Sequence, residues 1–161
     1  MIGTSILILA SISFMIVIGG AVYEHIAVVP VWASAVPASL SMLQPPYGLA
    51  AANFWIPIHP VTILLIAASL FFNWNSERRK FILITFGGYA IILIATFIFF
   101  VPELLAITES TFSNSVDAEL TRRAQTWETL SLVRLGFLLL PAVSLLWRLS
   151  RPGPDQSYAT R

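Results

Sequence analysis

Residues 81–102 read FILITFGGYAIILIATFIFFVP, with Glu77, Arg78, Arg79 and Lys80 just before them and Glu103 directly after. No Asp, Glu, Lys or Arg interrupts the stretch. As an α-helix it would be about 33 Å long, enough to cross a hydrocarbon core of about 30 Å. Hydrocarbon offers no water to backbone N–H and C=O groups, so a crossing segment is a helix or a strand of a closed barrel. Barrel strands of about ten residues alternate in polarity, and this stretch does not. On either side the pattern recurs. Between Met1 and Ser76 the only charged residue is Glu24, and after Glu128 only Arg134 breaks the apolar run that ends at Arg148. Four segments are expected to span the membrane, roughly 5–28, 53–73, 81–101 and 128–148. The expected fold is all-α, a four-helix transmembrane bundle forming a single domain over residues 1–150, followed by a polar cytoplasmic tail at 151–161.

Composition agrees. Of 161 residues 57% are hydrophobic and 11% charged, against about 25% charged in soluble domains. Mean hydropathy is +0.83. A formal net charge of +1 with no basic stripe argues against nucleic-acid binding. The absence of cysteine excludes disulfides and thiolate metal sites. Ala33-Ser34-Ala35 mimics a signal-peptidase site, but no Lys or Arg precedes the first apolar run, which exceeds a signal peptide's apolar core. An uncleaved first helix is expected.

Lys and Arg near helix ends set orientation. The loop between helices 2 and 3 carries Arg78, Arg79 and Lys80, and the C-terminal end carries Arg148, Arg151 and Arg161. The first loop has neither residue, and residues 103–128 hold five acids against Arg122 and Arg123. The expected arrangement is N-in and C-in, in a bacterial inner membrane. The first loop, 29–52, contains Pro30, Pro37, Pro45 and Pro46, which oppose a regular helix. Its Trp32, Met42, Leu43 and Tyr47 are too apolar for a free loop, so a lid over the outer mouth is expected. Residues 103–113 read as irregular or short-helical. Asn114 or Ser115 resembles an N-cap, placing the start of helix 4 near Val116 and extending it beyond the membrane.

This topology gathers polar groups at one depth. Glu24 and His25 end helix 1, His59 lies about two turns into helix 2, Glu103 ends helix 3, and Trp127, Glu128 and Arg134 lie near the start of helix 4. A charge at membrane depth is costly, so such groups face the interior and pair. Bland readings compete: Glu103 and Glu128 as solvated helix ends, Arg134 reaching to the headgroups, and a lone histidine as a hydrogen-bonded core residue. Arg123, Trp127, Leu130 and Arg134 are spaced to share one helix face, which favours an inward Arg134. Glu24 and His25 are consecutive, about 100° apart, and cannot both point along one radius.

Three chemistries fit. His25 and His59 with Glu24 or Glu103 could ligate a transition metal, iron, copper or zinc, although no HExxH or ExxH spacing is present. A histidine with a carboxylate could remove a proton from an apolar substrate, with Arg134 tuning the site. Two histidines could also ligate a haem. Trp55, Trp74, Trp127 and Trp147 fall near expected helix ends, as interfacial belts do. The pairs Gly19-Gly20 and Gly87-Gly88 are expected to allow close helix contact. Pro57 and Pro60 flank His59 and are expected to loosen the start of helix 2.

GGAVYEHIAVVP at 19–30, FVPELLAI at 100–107 and WETLSLVR at 127–134 resemble the anthrone oxygenase-like membrane proteins, small four-helix bundles. Gly19, Gly20 and Pro30 match that family's glycine-rich first helix and proline. Pro102 matches its Pro-x-Asn, and Trp127 and Arg134 match its Trp-x-x-x-Asn/His-x-x-Arg. Leu104 and Ser131 depart from it. The resemblance implies an oxygenase or oxidase acting on a lipophilic, phenolic or polyketide-like substrate, with some members needing no cofactor. Glu24, His25 and His59 rest on the depth argument alone. The expected site is therefore His25 and His59 as metal ligands or proton acceptors, Glu24 and Glu103 as further ligands or orienters, Arg134 holding an anion, and Trp127 as an apolar wall. Expected partners are the lipid bilayer, a lipophilic small molecule and further copies of the chain. The rival reading is a non-catalytic membrane subunit or small transporter that uses the same cluster as a proton or ion site, or to lock the bundle.

Overall fold

The computed structural model describes residues 2–150; the expected tail at 151–161, with Arg151 and Arg161, lies outside the described residues. Among the described residues all regular elements are helical. They are α1 (Ile2–Ala27), α2 (Val29–Trp32), a 3-10 segment (Ala38–Leu43), α3 (Ala52–Phe72) and α4 (Arg79–Ala95). A π-helical segment (Thr96–Phe100), α5 (Val101–Thr108) and α6 (Ala118–Leu149) complete the chain. Four stretches are long and apolar enough to cross a membrane: Ile2–Trp32, Ala52–Phe72, Arg79–Thr108 and Ala118–Trp147. α1 packs on α3 and α6, and α4 packs on the same two, so the long helices close a four-membered ring.

Only 17% of the most apolar window of α3, and as little of the α4–α5 span, is buried inside the protein. Ile56, Leu64 and Phe71 on α3 and Ile94 and Ile98 beyond mid-α4 point outward. Such an apolar exterior suits lipid and is not expected of a soluble monomer. Two cores lie inside. One fills the bundle with Leu7, Ala10, Phe14, Ile66, Ile82, Tyr89 and Leu145. The other joins Val28, Trp32, Val36 and Leu40 of the lid to Phe100, Ile107, Ala124 and Trp127. Lipid tails are as apolar as the side chains, so the first core rests on van der Waals packing.

Residues 29–43 pack against the bundle and contain helical turns between the prolines, but the expected burial does not extend to Tyr47, which is 97% exposed. Pro30 opens α2, where a missing N–H is harmless, and Pro37 precedes the 3-10 segment. The lid is fastened to α6. Val36 N–H donates to Thr121 Oγ1 (3.0 Å), and Asp117 N–H donates to the Val36 carbonyl (2.8 Å). This corrects the expected cap. Asp117, not Asn114 or Ser115, starts α6, its Oδ1 accepting from the N–H groups of Glu119 (2.8 Å) and Leu120 (3.0 Å). Ser115 instead hydrogen-bonds to Ser113.

The third span runs on to Thr108 instead of ending near 101. Pro102 cannot donate to the carbonyl four residues back, and its ring crowds that turn. The ladder widens to π geometry over Thr96–Phe100 just before it. α3, by contrast, continues unbroken through Pro57 and Pro60.

The glycine pairs behave differently from expectation. A Cβ on Gly19 or Gly87 would meet nothing within 4 Å, whereas one on Gly20 would press on the Phe54 ring and one on Gly88 would make ordinary contact with Pro141. Gly48 is the demanding position, because a Cβ there would collide with the Leu43 backbone. Gly48→Ala is expected to cost about 1–3 kcal/mol, as overpacking does, and Gly87→Ala far less. Thermal unfolding of the two detergent-solubilised variants compares them directly.

Candidate functional site

Arg134 lies within the α6 span and is half-buried. Its Nη1 donates to Thr96 Oγ1 (3.0 Å), its Nη2 to Ser131 Oγ (2.8 Å), and its guanidinium lies 4.2 Å from the centre of the Phe100 ring. Thr96 and Phe100 are the first and last residues of the π segment, so the irregularity forced by Pro102 supplies two of the three groups that seat the arginine. Among the described residues no carboxylate forms an ion pair with Arg134. Glu24 is the one acid whose charge reaches it. The stripe expected on this helix is shifted: Leu130 is exposed, and fully buried Ser131 takes its place. Four residues on from Trp127 and three before Arg134, Ser131 keeps the inward phase of the helix.

Glu24 leads into a chain of aromatic and hydroxyl contacts. Its carboxylate accepts from Trp55 Nε1 (2.8 Å), and the Trp55 indole stacks on His59 with centroids 5.3 Å apart and planes at 22°. His59 Nδ1 is 2.7 Å from Tyr89 Oη. No hydrogen bond engages His59 Nε2 among the described residues. Tyr89 is fully buried, edge-on to Phe14, with Thr62 beside its hydroxyl. Arg134 is close enough to act electrostatically on both Glu24 and His59. Glu24, His59 and Arg134 stand on three different helices, the first two joined through Trp55.

His25 is placed apart from that chain. Its Nδ1 is 2.8 Å from the Ala21 carbonyl. A carbonyl only accepts, so Nδ1 carries the proton and Nε2 the lone pair. Nε2 is enclosed and has no hydrogen-bond partner. His25 shares the helix face of Val28, Val29 and Trp32, which enter the lid core.

The remaining expected residues do other work. Glu103 is bound through both oxygens to Arg123 Nε and Nη2, each at 2.9 Å. The pair borders a shallow cleft of about 80 Å³ with Phe99, Arg122, Thr126 and Trp127. Trp127 is buried; its Nε1 donates to the Phe100 carbonyl (2.8 Å), and its ring packs on Trp32. It is a lid anchor, not part of an interfacial belt. Glu128 is half-buried and joins none of the cluster's hydrogen bonds. The four residues expected as metal ligands, His25, His59, Glu24 and Glu103, are not brought together. Among the described residues no three His, Asp or Glu side chains converge on a point where an ion could sit. Glu103 is committed to Arg123, and His25 turns to its own helix. The donor set does not fit a metal.

Sequence reading missed Tyr89, Thr96, Phe100 and Ser131. The signal for two of them was a polar residue inside a charge-free run, Tyr89 and Thr96 within residues 81–102. Compared with family models, curated proteins and solved structures, the chain matches none.

Proposed function

We propose that this membrane protein binds a lipophilic, weakly acidic molecule beside Arg134, takes a proton from it and holds the resulting anion. The observation that carries the reading is the seating of Arg134. A cation at membrane depth costs about 2.5–3.5 kcal/mol even on translocon scales, yet this one is met by two hydroxyls and a ring, with no carboxylate in contact. Its charge is left for a ligand. His59, whose Nδ1 is hydrogen-bonded to the Tyr89 hydroxyl, is the proton acceptor in this reading.

The family resemblance supplies the finer reading, an oxygenase or oxidase of phenolic or polyketide-like compounds working toward the outer leaflet of an N-in, C-in bundle. A methylene between aromatic rings loses a proton to His59, and the negative charge delocalises onto an oxygen facing Arg134. The carbanion adds dioxygen; one oxygen remains as the new carbonyl and the other leaves as water with the two methylene hydrogens. Dioxygen is the oxidant.

The binding step is tested with a nitrophenol bearing a long alkyl chain, whose phenolate is coloured. Wild-type protein is expected to bind it as the phenolate. Arg134→Gln should weaken binding about 10- to 100-fold, the worth of a hydrogen bond to a charged group. Equal binding by a monodisperse Arg134→Gln protein would leave the cluster as a lock for the bundle.

A further inference from the structure

The α3 face that carries His59 remains polar well past the site. Trp55, His59, Thr62, Ile66, Ser69 and Asn73 follow at intervals of three and four residues, one face of the helix. Only Ile66 lacks a polar atom. Three buried hydroxyls in this bundle bond back to their own helix: Ser11 to the Leu7 carbonyl, Thr85 to Phe81, Thr96 to Ile92. Ser13, Thr62 and Ser69 do not. Thr62 Oγ1 and Ser13 Oγ meet between helices at 2.6 Å, with Thr62 also beside the Tyr89 hydroxyl. Ser69 Oγ is enclosed and has no partner. One turn further, Asn73 Nδ2 donates to the carbonyls of Ser69 (2.8 Å) and Gly3 (3.0 Å). The basic residues Arg78, Arg79 and Lys80 at the start of α4 follow.

Between the two polar stretches lies an apolar plug. Ile66 is fully buried, in one core with fully buried Leu7, Ala10 and Ile82. Thr62 and Ser69 are seven residues apart, about 10 Å along the axis. Hydroxyls both donate and accept, so a row of them passes a proton by reversing its hydrogen bonds. An apolar constriction blocks such a row by excluding water.

We propose that this seam is a proton path through the membrane, running from His59 through Tyr89, Thr62 and Ser13 to Ser69, and held shut at Ile66. It deepens the reading above by linking His59 to the far side of the bundle, so that the proton His59 takes on ligand binding exchanges there and is returned for the water formed in turnover. Only a proton moves, so no further reactant is needed.

Proteoliposomes loaded with a pH-sensitive dye, with a potassium diffusion potential set by valinomycin, test the path. Ile66→Thr is expected to raise proton flux about tenfold over wild type by wetting the constriction. Ile66→Val, smaller but apolar, should not. Adding Thr62→Val to Ile66→Thr should abolish the gain. Flux in Ile66→Thr no greater than in Ile66→Val, or a gain that survives Thr62→Val, overturns the proposal, provided each protein is monodisperse. The alkyl nitrophenol separates the two readings. Retained binding without Thr62-dependent flux removes the path alone, and Thr62-dependent flux without binding removes the ligand site alone.

Discussion

Trp127→Ala is expected to lower the unfolding temperature of the detergent-solubilised protein by roughly 10 °C. Removing a buried tryptophan costs about 3–5 kcal/mol, and each kcal/mol is worth about 2–4 °C in a chain of this size. The cost should fall near the top of that range, because Trp127 does three things together. Its ring packs against Trp32, with centroids 5.6 Å apart, and so holds the lid. It packs edge-on against Phe100, the ring beneath Arg134. Its indole N–H donates to the carbonyl that closes the π segment. Trp127→Phe keeps most of the packing and loses the hydrogen bond, so it should cost about 1 kcal/mol. The graded pair separates packing from polarity. Limited proteolysis within residues 29–51 should accelerate in Trp127→Ala, since only the hydrogen bonds at Asp117 and Thr121 and the smaller contacts of Leu120 and Ala124 would then tie the lid to α6. A Trp127→Ala protein that melts with wild type would show that the lid is held elsewhere.

The bundle was legible because lipid leaves the backbone so few options. A run such as 81–102 can only be a helix, and counting charges located all four spans. Helix ends were less legible, since they are decided by contacts between distant residues. Asp117 outcompetes Asn114 and Ser115 as a cap while its own N–H is engaged by Val36, some eighty positions away in sequence. The site divides along the same line. Topology alone gives depth, and at one depth Glu24 and His59 are joined through Trp55. Depth does not give azimuth. Glu103 stands at the expected level yet turns to Arg123, and His25 turns to Ala21. The shift from Leu130 to Ser131 is a single residue, but on a helix that is about 100°. The seat of Arg134 was the least visible feature. It depends on a π segment that Pro102 provokes, and a proline's effect on the preceding turn can equally be a kink or a break.

His59→Gln should abolish most of whatever acid–base chemistry the site performs, with little change in stability. Positioned general bases contribute about 10²–10⁴-fold to rate, so oxygen uptake with an anthrone as probe should fall by that factor. Glutamine can keep a hydrogen bond to Tyr89 and much of the stack on Trp55, so the fold should survive; that is why it is preferred to alanine. Tyr89→Phe is the companion variant. It leaves the imidazole in place but removes the hydroxyl hydrogen-bonded to Nδ1 at 2.7 Å. Its rate should fall less than that of His59→Gln. It should also retain phenolate binding, because Arg134 keeps its contacts to Thr96, Ser131 and Phe100. Three observations then carry distinct meanings. Lost turnover with retained phenolate binding in His59→Gln identifies the proton acceptor. Lost binding in the same variant would make His59 part of the anion seat. Unchanged turnover would remove His59 from the chemistry.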